Sequence, residues 1–453
     1  MTVSGGCGRC GDGWRRSRRG RAGGACFFGV RQVDGASAIA RAAMKNYCLA
    51  GVKKYFARPI LSVKLGGYGR VCDWRVLLEV IWTGDVMRVK FNRAALQEAL
   101  VLVTSIVPSR TPKPILQCVR FTAEGDSVRI CGTDLEVGIT SRVTQVEIES
   151  AGEIVVPADK VTSIIRESID EVVVFDASEA AVHIRGADSH FTIYGHDAGQ
   201  YPSVVGFEEG ADFEMSLDRL QAGIEQCVFA AAKESTRYAL NGILWEVSGK
   251  KLTLVATDGR RLAKSVVHLP SAVKGKLSEG RIIVPAKTMS LLDRVGGDAE
   301  AKVGVRFVDN QIALMCDNAV ISSNLVEGNF PKYEDIIPKD YTKKLVLNTS
   351  AALSAVRRAA LLADQDSKGI RLALSENAML ISSRAPETGD AQIDMAVAYT
   401  DAPMEIGFNP QFLIDVFRVI KTDEFELHLG EPDRPGLIKS GGDFLYIVMP
   451  VNL

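Results

Sequence analysis

The chain has 453 residues, more than one ordinary hydrophobic core serves, and domains of about 100 to 150 residues predict three of them. Its 47% hydrophobic content is that of a globular protein, and apolar runs such as "VLLEVIW" and "ALVLV" fall well short of the ~20 residues a membrane-spanning helix needs. The net charge of −1 averages two unlike pieces: residues 1–86 carry 15 Lys+Arg against 5 Asp+Glu, whereas from Met87 onward the balance is 39 against 50.

The first piece, 1–86, also holds five of the nine cysteines and three of the four tryptophans. Its opening, "GGCGRCGDGWRRSRRGRAGGACFF", is rich in Gly and Arg and has no sustained period. Gly6, Gly8 and Gly11 match a dinucleotide-binding spacing, but no strand pattern precedes them and no helical pattern follows. Cys7 and Cys10 form one C-x-x-C without the second pair a zinc ribbon needs, and the apolar segment of a secretory signal is missing. We read 1–86 as a disordered extension or an over-extended gene start, with Met87 as the physiological first residue. The remaining cysteines, Cys118, Cys131, Cys227 and Cys316, show no paired spacing, which points to reduced thiols in a cytoplasmic protein.

From Met87 the pattern becomes regular. "MRVKFN" alternates as a strand, and Leu96, Leu100 and Val103 then recur at helical spacing until the run to Pro108. "PILQCVRFTAEGDSVRICGTDLEVGI" (114–139) reads as two strands around a turn at Glu124-Gly125-Asp126, the second strand ending in Thr-Asp. "IVVPADKVTSIIRES" (154–168) is a strand end turning at a proline into a helix, where the missing proline N–H costs nothing, and "GQYPSV" (199–204) closes the unit.

The same phrases return. "YALNGILWEVSGKKLTLVATDGRRLA" (238–263), "IIVPAKTMSLLDRV" (282–295) and "GNFPKY" (328–333) repeat them in order. A third copy runs through "KGIRLALSENAMLISS" (368–383), with Glu376-Asn377 as its turn and no Thr-Asp, then "IGFNPQFLIDVFRVI" (406–420) and the terminal "VMPVNL". Offsets of 124 (Thr133 to Thr257), 128 (Pro157 to Pro285) and 129 (Pro202 to Pro331) fit one unit copied with small loop changes. That period is too long for a solenoid, so each unit is a self-sufficient α+β domain with helices covering one face of antiparallel strands. The expected boundaries are 87–208, 209–341 and 342–453.

No motif of nucleotide, metal or acyl-transfer chemistry stands out. G-x-x-x-x-G-K-[ST], H-E-x-x-H and G-x-S-x-G do not occur, and His183, His190, His196, His268 and His428 make no metal-ligand spacing. Asp134 and Asp258 have two readings: carboxylates of an uncharacterised enzyme, or groups that hydrogen-bond a turn after their threonines. Neither a cofactor nor a metal is expected.

Taken together, "TDGRRL" (257–262), "RYALNG" (237–242), "LVEGNFPKYEDIIP" (325–338), "MEIGFNPQFLIDV" (404–416) and the final "YIVMPVNL" resemble the bacterial DNA polymerase III beta subunit, the sliding clamp, over the whole of 87–453. The resemblance implies three similar clamp domains per chain, helices inside and sheets outside, joined as a head-to-tail ring dimer. Such a ring surrounds duplex DNA without reading its sequence and is a non-catalytic processivity factor. It fits equally an accessory paralogue serving repair or drug tolerance.

The implied partners are DNA, a second copy of the chain, the polymerase III alpha subunit, the delta subunit of the clamp loader, and other polymerases and repair proteins that carry clamp-binding peptides. Basic residues on the helices and loops would meet DNA phosphates: Arg93, Lys160, Arg166, Arg219, Lys287, Arg357 and Arg358, each of which reads equally as part of a solvated helix face. By resemblance, Arg110, Arg237 and Tyr238 also touch DNA, with Ala239 standing where the family often has a second aromatic. The implied peptide cleft uses Leu240, Thr257, Gly259, Arg260, Arg261, Leu262, Pro331, Ile336, Ile447, Met449, Pro450, Val451 and Leu453, residues that on pattern alone read as core. Arg260, Asp335 and Asn452 depart from the family's common pattern.

Overall fold

The computed structural model describes residues 87–452 except 179–180, 208–209, 234–235, 274–279, 296–300, 339 and 364–368, all within one compact unit, Trp74–Leu453. The extension 1–86, with its Gly and Cys motifs, lies outside the described residues, and so does Leu453.

Each domain is built from a smaller motif used twice: strand, helix, three strands. In the first domain the motif runs Met87–Asn92, α1 (Arg93–Thr104), Cys118–Glu124, Ser127–Thr133, Val137–Val143, and again Gly152–Pro157, α2 (Ala158–Glu167), Val172–Ser178, Ala181–Arg185, His190–Tyr194. In the second it runs Phe213–Ser216, α3 (Leu217–Val228), Gly242–Ser248, Lys251–Thr257, Arg261–His268, and again Arg281–Pro285, α4 (Ala286–Leu292), Lys302–Val308, Gln311–Cys316, Ala319–Asn324. The third gives Lys343–Asn348, α5 (Thr349–Ala360), Ile370–Ser375, Ala378–Ala385, Gly389–Ala396, and then Met404–Phe408, α6 (Pro410–Val419), Glu424–Leu429, Gly436–Ser440, Phe444–Val448. One added strand, Val146–Ser150, lies at a sheet edge of the first domain.

Local chemistry sets the helix starts. Asn92, Ser216 and Asn348 stay extended and accept the N–H three residues on, from Ala95, Arg219 and Ala351, satisfying donors that the first turn leaves open. The second helix of each domain begins at proline instead: Pro157 and Pro285 are the cap residues and Pro410 is the first helical residue. Helix α1 buries Leu96, Leu100 and Val103, as the spacing predicts. The three expected hairpin turns form too, each with one residue at positive φ: Gly125, Gly249 and Asn377.

The two halves of a domain interlock. The first strand of each half pairs antiparallel with the second-half or first-half strand that follows the other helix: Met87–Asn92 with Val172–Ser178, and Gly152–Pro157 with Cys118–Glu124. The other domains repeat the exchange.

Sheets then run across the domain boundaries. Val137–Val143 pairs with Ala319–Asn324, and Arg261–His268 pairs with Phe444–Val448, so that each junction is a continuous eight-stranded sheet. In both cases the last strand of one domain's first half meets the last strand of the next domain's second half. A five-stranded and a four-stranded sheet remain, and one edge of each is again such a strand: His190–Tyr194 and Gly389–Ala396.

Alternate residues of these strands face opposite ways. One side packs with the helices into the main core, in which Phe121, Trp245, Phe408 and Tyr446 are fully buried. On the other side the inter-domain linkers lie over smaller clusters, Tyr201 against Cys118, Cys131 and Val155, and Phe330 with Tyr333 against Leu244, Val255 and Ile283. That placement accounts for the aromatic residue in both "GQYPSV" and "GNFPKY". The Tyr201 hydroxyl donates to the carbonyls of Cys118 and Cys131. No helix among the described residues is long and apolar enough to cross a membrane.

Candidate functional site: the junction turns, the cleft and the helical face

The repeated Thr-Asp phrase is a turn with a fixed set of hydrogen bonds. Thr133 Oγ1 donates to the Val137 carbonyl at 2.8 Å and accepts the Leu135 N–H; Thr257 Oγ1 donates to the Arg261 carbonyl at 2.6 Å and accepts the Gly259 N–H. Asp134 Oδ1 accepts the N–H groups of Glu136 and Val137, and Asp258 Oδ1 those of Arg260 and Arg261. The geometry forces the middle residue to positive φ, at Gly259 (87°) and even at Leu135 (82°). Both carboxylates are thus occupied in holding backbone, which leaves the enzyme reading of Asp134 and Asp258 without support.

Both turns also reach across a junction. Asp134 Oδ2 pairs with Lys287, near the start of α4 in the next domain. At the second junction Arg261 Nε binds Asp258 Oδ2 at 3.0 Å, Nη1 binds Asp415 Oδ2 of α6 at 2.7 Å, and Nη2 donates to the Phe229 carbonyl. Its guanidinium lies 4.5 Å from the Phe412 ring centroid, and its side chain is 10% exposed. Burial works against its charge, but the Asp415 and Asp258 carboxylates outweigh that and hold its proton more firmly than in free arginine. Arg261 is therefore a brace between domains, with three of its five N–H donors committed to the fold.

The remaining cleft residues divide by exposure. Leu262 and Ile447 face each other across the junction ladder and are about fully buried, as are Thr257 and Leu240. Leu262 and Ile447 belong to one apolar cluster with Tyr333, Phe330 and Ile337 of the linker. Ile336 (40% exposed) and Met449 (38% exposed) stand open to solvent, as do Gly259 and Arg260 on the turn, whereas Pro331, Pro450 and Val451 are half-buried. The C-terminal segment is held by Met449 N–H to the Arg260 carbonyl and Val451 N–H to the Gly407 carbonyl, both 2.9 Å.

The linker itself is clasped to the second domain. The Tyr333 hydroxyl donates to Glu246 at 2.6 Å, and Arg281 bridges Glu246 and Glu334. Burial alone would raise the Glu246 carboxyl; the Tyr333 and Arg281 hydrogen bonds more than offset this and hold it below the ordinary glutamate range.

Of the basic residues expected to meet DNA, Arg110, Lys160, Arg166, Arg219, Arg237, Arg357 and Arg358 are exposed, and Tyr238 is 73% exposed. Lys160 and Arg166 each lie beside an acidic neighbour, Asp159 and Glu167. Two residues also carry contacts within the fold. Arg93 is half-buried and bonded to the Asp170 carbonyl and to Gln97, and Lys287, though 55% exposed, pairs with Asp134. The helical face is also not uniformly basic: Asp218, Glu225 and Asp293 line a polar cavity with Lys421, which pairs with Glu225 at 2.9 Å. Burial and the Glu225 charge push the Asp293 carboxyl up.

Comparison with known proteins agrees with this architecture domain by domain. Residues 87–205, 214–332 and 334–452 match the N-terminal, central and C-terminal domain models of the DNA polymerase III beta subunit. The chain belongs to the DNA polymerase III beta subunit family, the beta sliding clamps. The beta sliding clamp of Pseudomonas putida is 32% identical over 370 residues, and that of Escherichia coli K12 is 30% identical over 372, in each case 81% of this chain and 100% of the relative. Among solved structures, the DNA polymerase III beta subunit of Pseudomonas aeruginosa superimposes with a TM-score of 0.76 at 31% identity, and the sliding clamp of Bacillus subtilis with 0.77 at 27%, each over 81% of this chain and 100% of the other.

Sequence reasoning passed over three further residues of this beta clamp. Arg294 and Arg418 are further exposed cations at the ends of α4 and α6, legible as basic residues closing a helix but overlooked. Asp415, the partner of Arg261, carries no local signal, because the two are 154 positions apart.

Proposed function

We propose that two copies of this chain close head to tail into a ring around duplex DNA, and that the ring serves as a processivity factor by holding a polymerase through the cleft that follows the second junction. The observation that carries the reading is the joint between domains. It is used twice within the chain, and the two strands that make it, one of each kind, are left over at sheet edges, Gly389–Ala396 on the third domain and His190–Tyr194 on the first. Joining unlike edges gives a heterologous contact, and two such contacts related by a two-fold close on themselves. An unpaired edge strand is otherwise a liability for aggregation.

DNA would be held by enclosure. Exposed Lys and Arg on the helices attract phosphate at any sequence, while acidic groups among them, such as Asp218 and Asp293, keep the contact loose enough for sliding. The partners that dock in the cleft are the polymerase alpha subunit, the loader's delta subunit and other proteins with clamp-binding peptides, in the cytoplasm. The exposed Ile336 would take an apolar anchor, and the flexible Met449 would adapt to several.

The test is topological. Sedimentation should give a dimer mass, and the loaded protein should stay on nicked circular DNA and leave when the circle is linearised. A monomer whose binding ignores topology overturns the reading. For the cleft, removing residues 449–453 should abolish peptide capture and leave the dimer intact; unchanged capture would move the docking site elsewhere.

A further inference from the structure

The two internal joints share one register, and the repeat carries it to the free edges. Thr133 and Thr257, each the seventh residue of its strand, pair with Gly138 and Leu262, which face Ser322 and Ile447 of the next domain. In the third domain the seventh residue is Arg384 and its partner is Asp390. On the other side, Ser322 lies two residues before Asn324, the partner of Gln311; the matching residue of the first domain lies two before Tyr194, the partner of Ala181, and is Thr192. A second copy therefore joins with Asp390 opposite Thr192, Ala391 opposite Phe191 and Gln392 opposite His190.

Burial supports this register. Phe191 takes the place of Ile321 and Tyr446, which are 1% and 0% exposed at the internal joints, yet Phe191 is 39% exposed in the single chain. Phe229, the residue capping the C-terminus of α3, packs on Tyr446 with ring centroids 5.7 Å apart. Its counterpart capping α5 is Leu361, 80% exposed and positioned to cover Phe191 of the partner.

The solvent side of the same joint is where this chain places charge. His190 pairs across its own sheet with Arg185, which reaches Asp176 at 3.5 Å, and its ring lies 5.4 Å from His183, whose Nδ1 is 3.0 Å from the Thr192 hydroxyl. In the open chain its neighbours are thus Arg185 and His183, with Asp176 behind them in the sheet and Asp188 in the preceding turn. On closure, Gln392 comes opposite, with Asp390 and Asp394 on the same face two residues to either side, and diagonal neighbours at that spacing interact. Arg384 faces Asp390 within the partner's sheet, whereas Asp394 faces Leu380 and, on closure, Asp188. Two carboxylates meet beside one imidazole.

We propose that His190 is a proton-dependent clasp of the ring: seating it against Asp394 and Asp390 of a second copy couples closure to proton uptake, so the dimer tightens as pH falls through the histidine range. This rests on the head-to-tail reading and goes beyond it. Histidine is the side chain that changes charge between pH 5 and 8, and each ring has two such joints.

The test measures the dimer dissociation constant of the full chain by sedimentation at pH 8 and pH 6, at fixed ionic strength. The constant should fall by about tenfold or more across that interval. His190→Gln should flatten the dependence, Asp394→Asn should weaken it, and His183→Gln should leave most of it. Leu361→Asp should raise the constant at both pH values, which reports that this edge is the joint. A dimer broken by Leu361→Asp but insensitive to pH, or a pH dependence that survives His190→Gln, overturns the clasp and leaves the ring standing. A chain monomeric at both pH values overturns both.

Discussion

Single residues carry the junctions. Arg261 gathers Asp258, Asp415 and the Phe229 carbonyl into one site with 10% of its side chain exposed, so removing one partner strands a charge. Asp415→Ala should cost about 3 kcal/mol in urea unfolding, and Arg261→Lys should fail to replace the wild type, because a point charge cannot fill a planar fork of donors. The linker clasp predicts a pH effect with a definite sign. Glu246 is held below its ordinary range, so its contribution is complete above the unfolded value of about 4.3 and disappears as pH falls through the lower folded value. Glu246→Gln should make stability less dependent on pH below about 4.5, read from urea midpoints between pH 3 and 6. Neither network could be read from the chain. Arg261 and Asp415 are 154 positions apart, and nothing about an isolated Asp on a helix declares its partner.

At the scale of elements, the helix starts are the most legible feature, because a cap is a local event. Asn348 accepts the Ala351 N–H at 3.0 Å, and Asn348→Ala should lower stability by about 1 kcal/mol with an unchanged denaturant slope. Gly242 makes a sharper case at the strand level: a Cβ there would come within 2.6 Å of Ile283 and 2.7 Å of the Val284 carbonyl, so Gly242→Ala should destabilise by about 1–3 kcal/mol through overpacking, measured by thermal melting. The hairpins and proline-started helices were visible in periodicity for the same reason. The half-domain motif was not. Its two halves share an order of strands but no phrase: "VRICGTD" and the matching "AVHIR" have only alternation in common, which many sequences satisfy. Lys287 is a related case, since nothing near a lysine at a helix start announces that the Asp134 turn of another domain will pair with it.

For the molecule as a whole, the threefold repeat was plain from its recurring phrases, offset by 124 to 129 residues between the first two copies, whereas the junctions needed coordinates, because strand pairing across 184 positions leaves no mark in either strand. The cleft was legible only through resemblance; by pattern, Leu262 and Ile447 are core residues, and buried they are. DNA binding belongs to this scale also. Affinity for a short linear duplex should fall steeply between 50 and 200 mM salt, roughly in proportion to the phosphates neutralised, while retention on a closed circle should change little. Equal salt sensitivity on both substrates would mean that grip rather than enclosure holds the protein.

The joints inside the chain and the proposed joint between chains differ in one respect: the first two are tethered. Covalent continuity through residues 195–212 and 325–342 keeps each internal pair of strands at a high effective concentration, so a broken ladder there reforms as an intramolecular event. The edge at His190–Tyr194 has no such leash. Mechanical or thermal stress on the proposed ring is therefore steered to the bimolecular contact, and a doorway falls at the joints that no linker spans rather than at any weakness in the strands that form them.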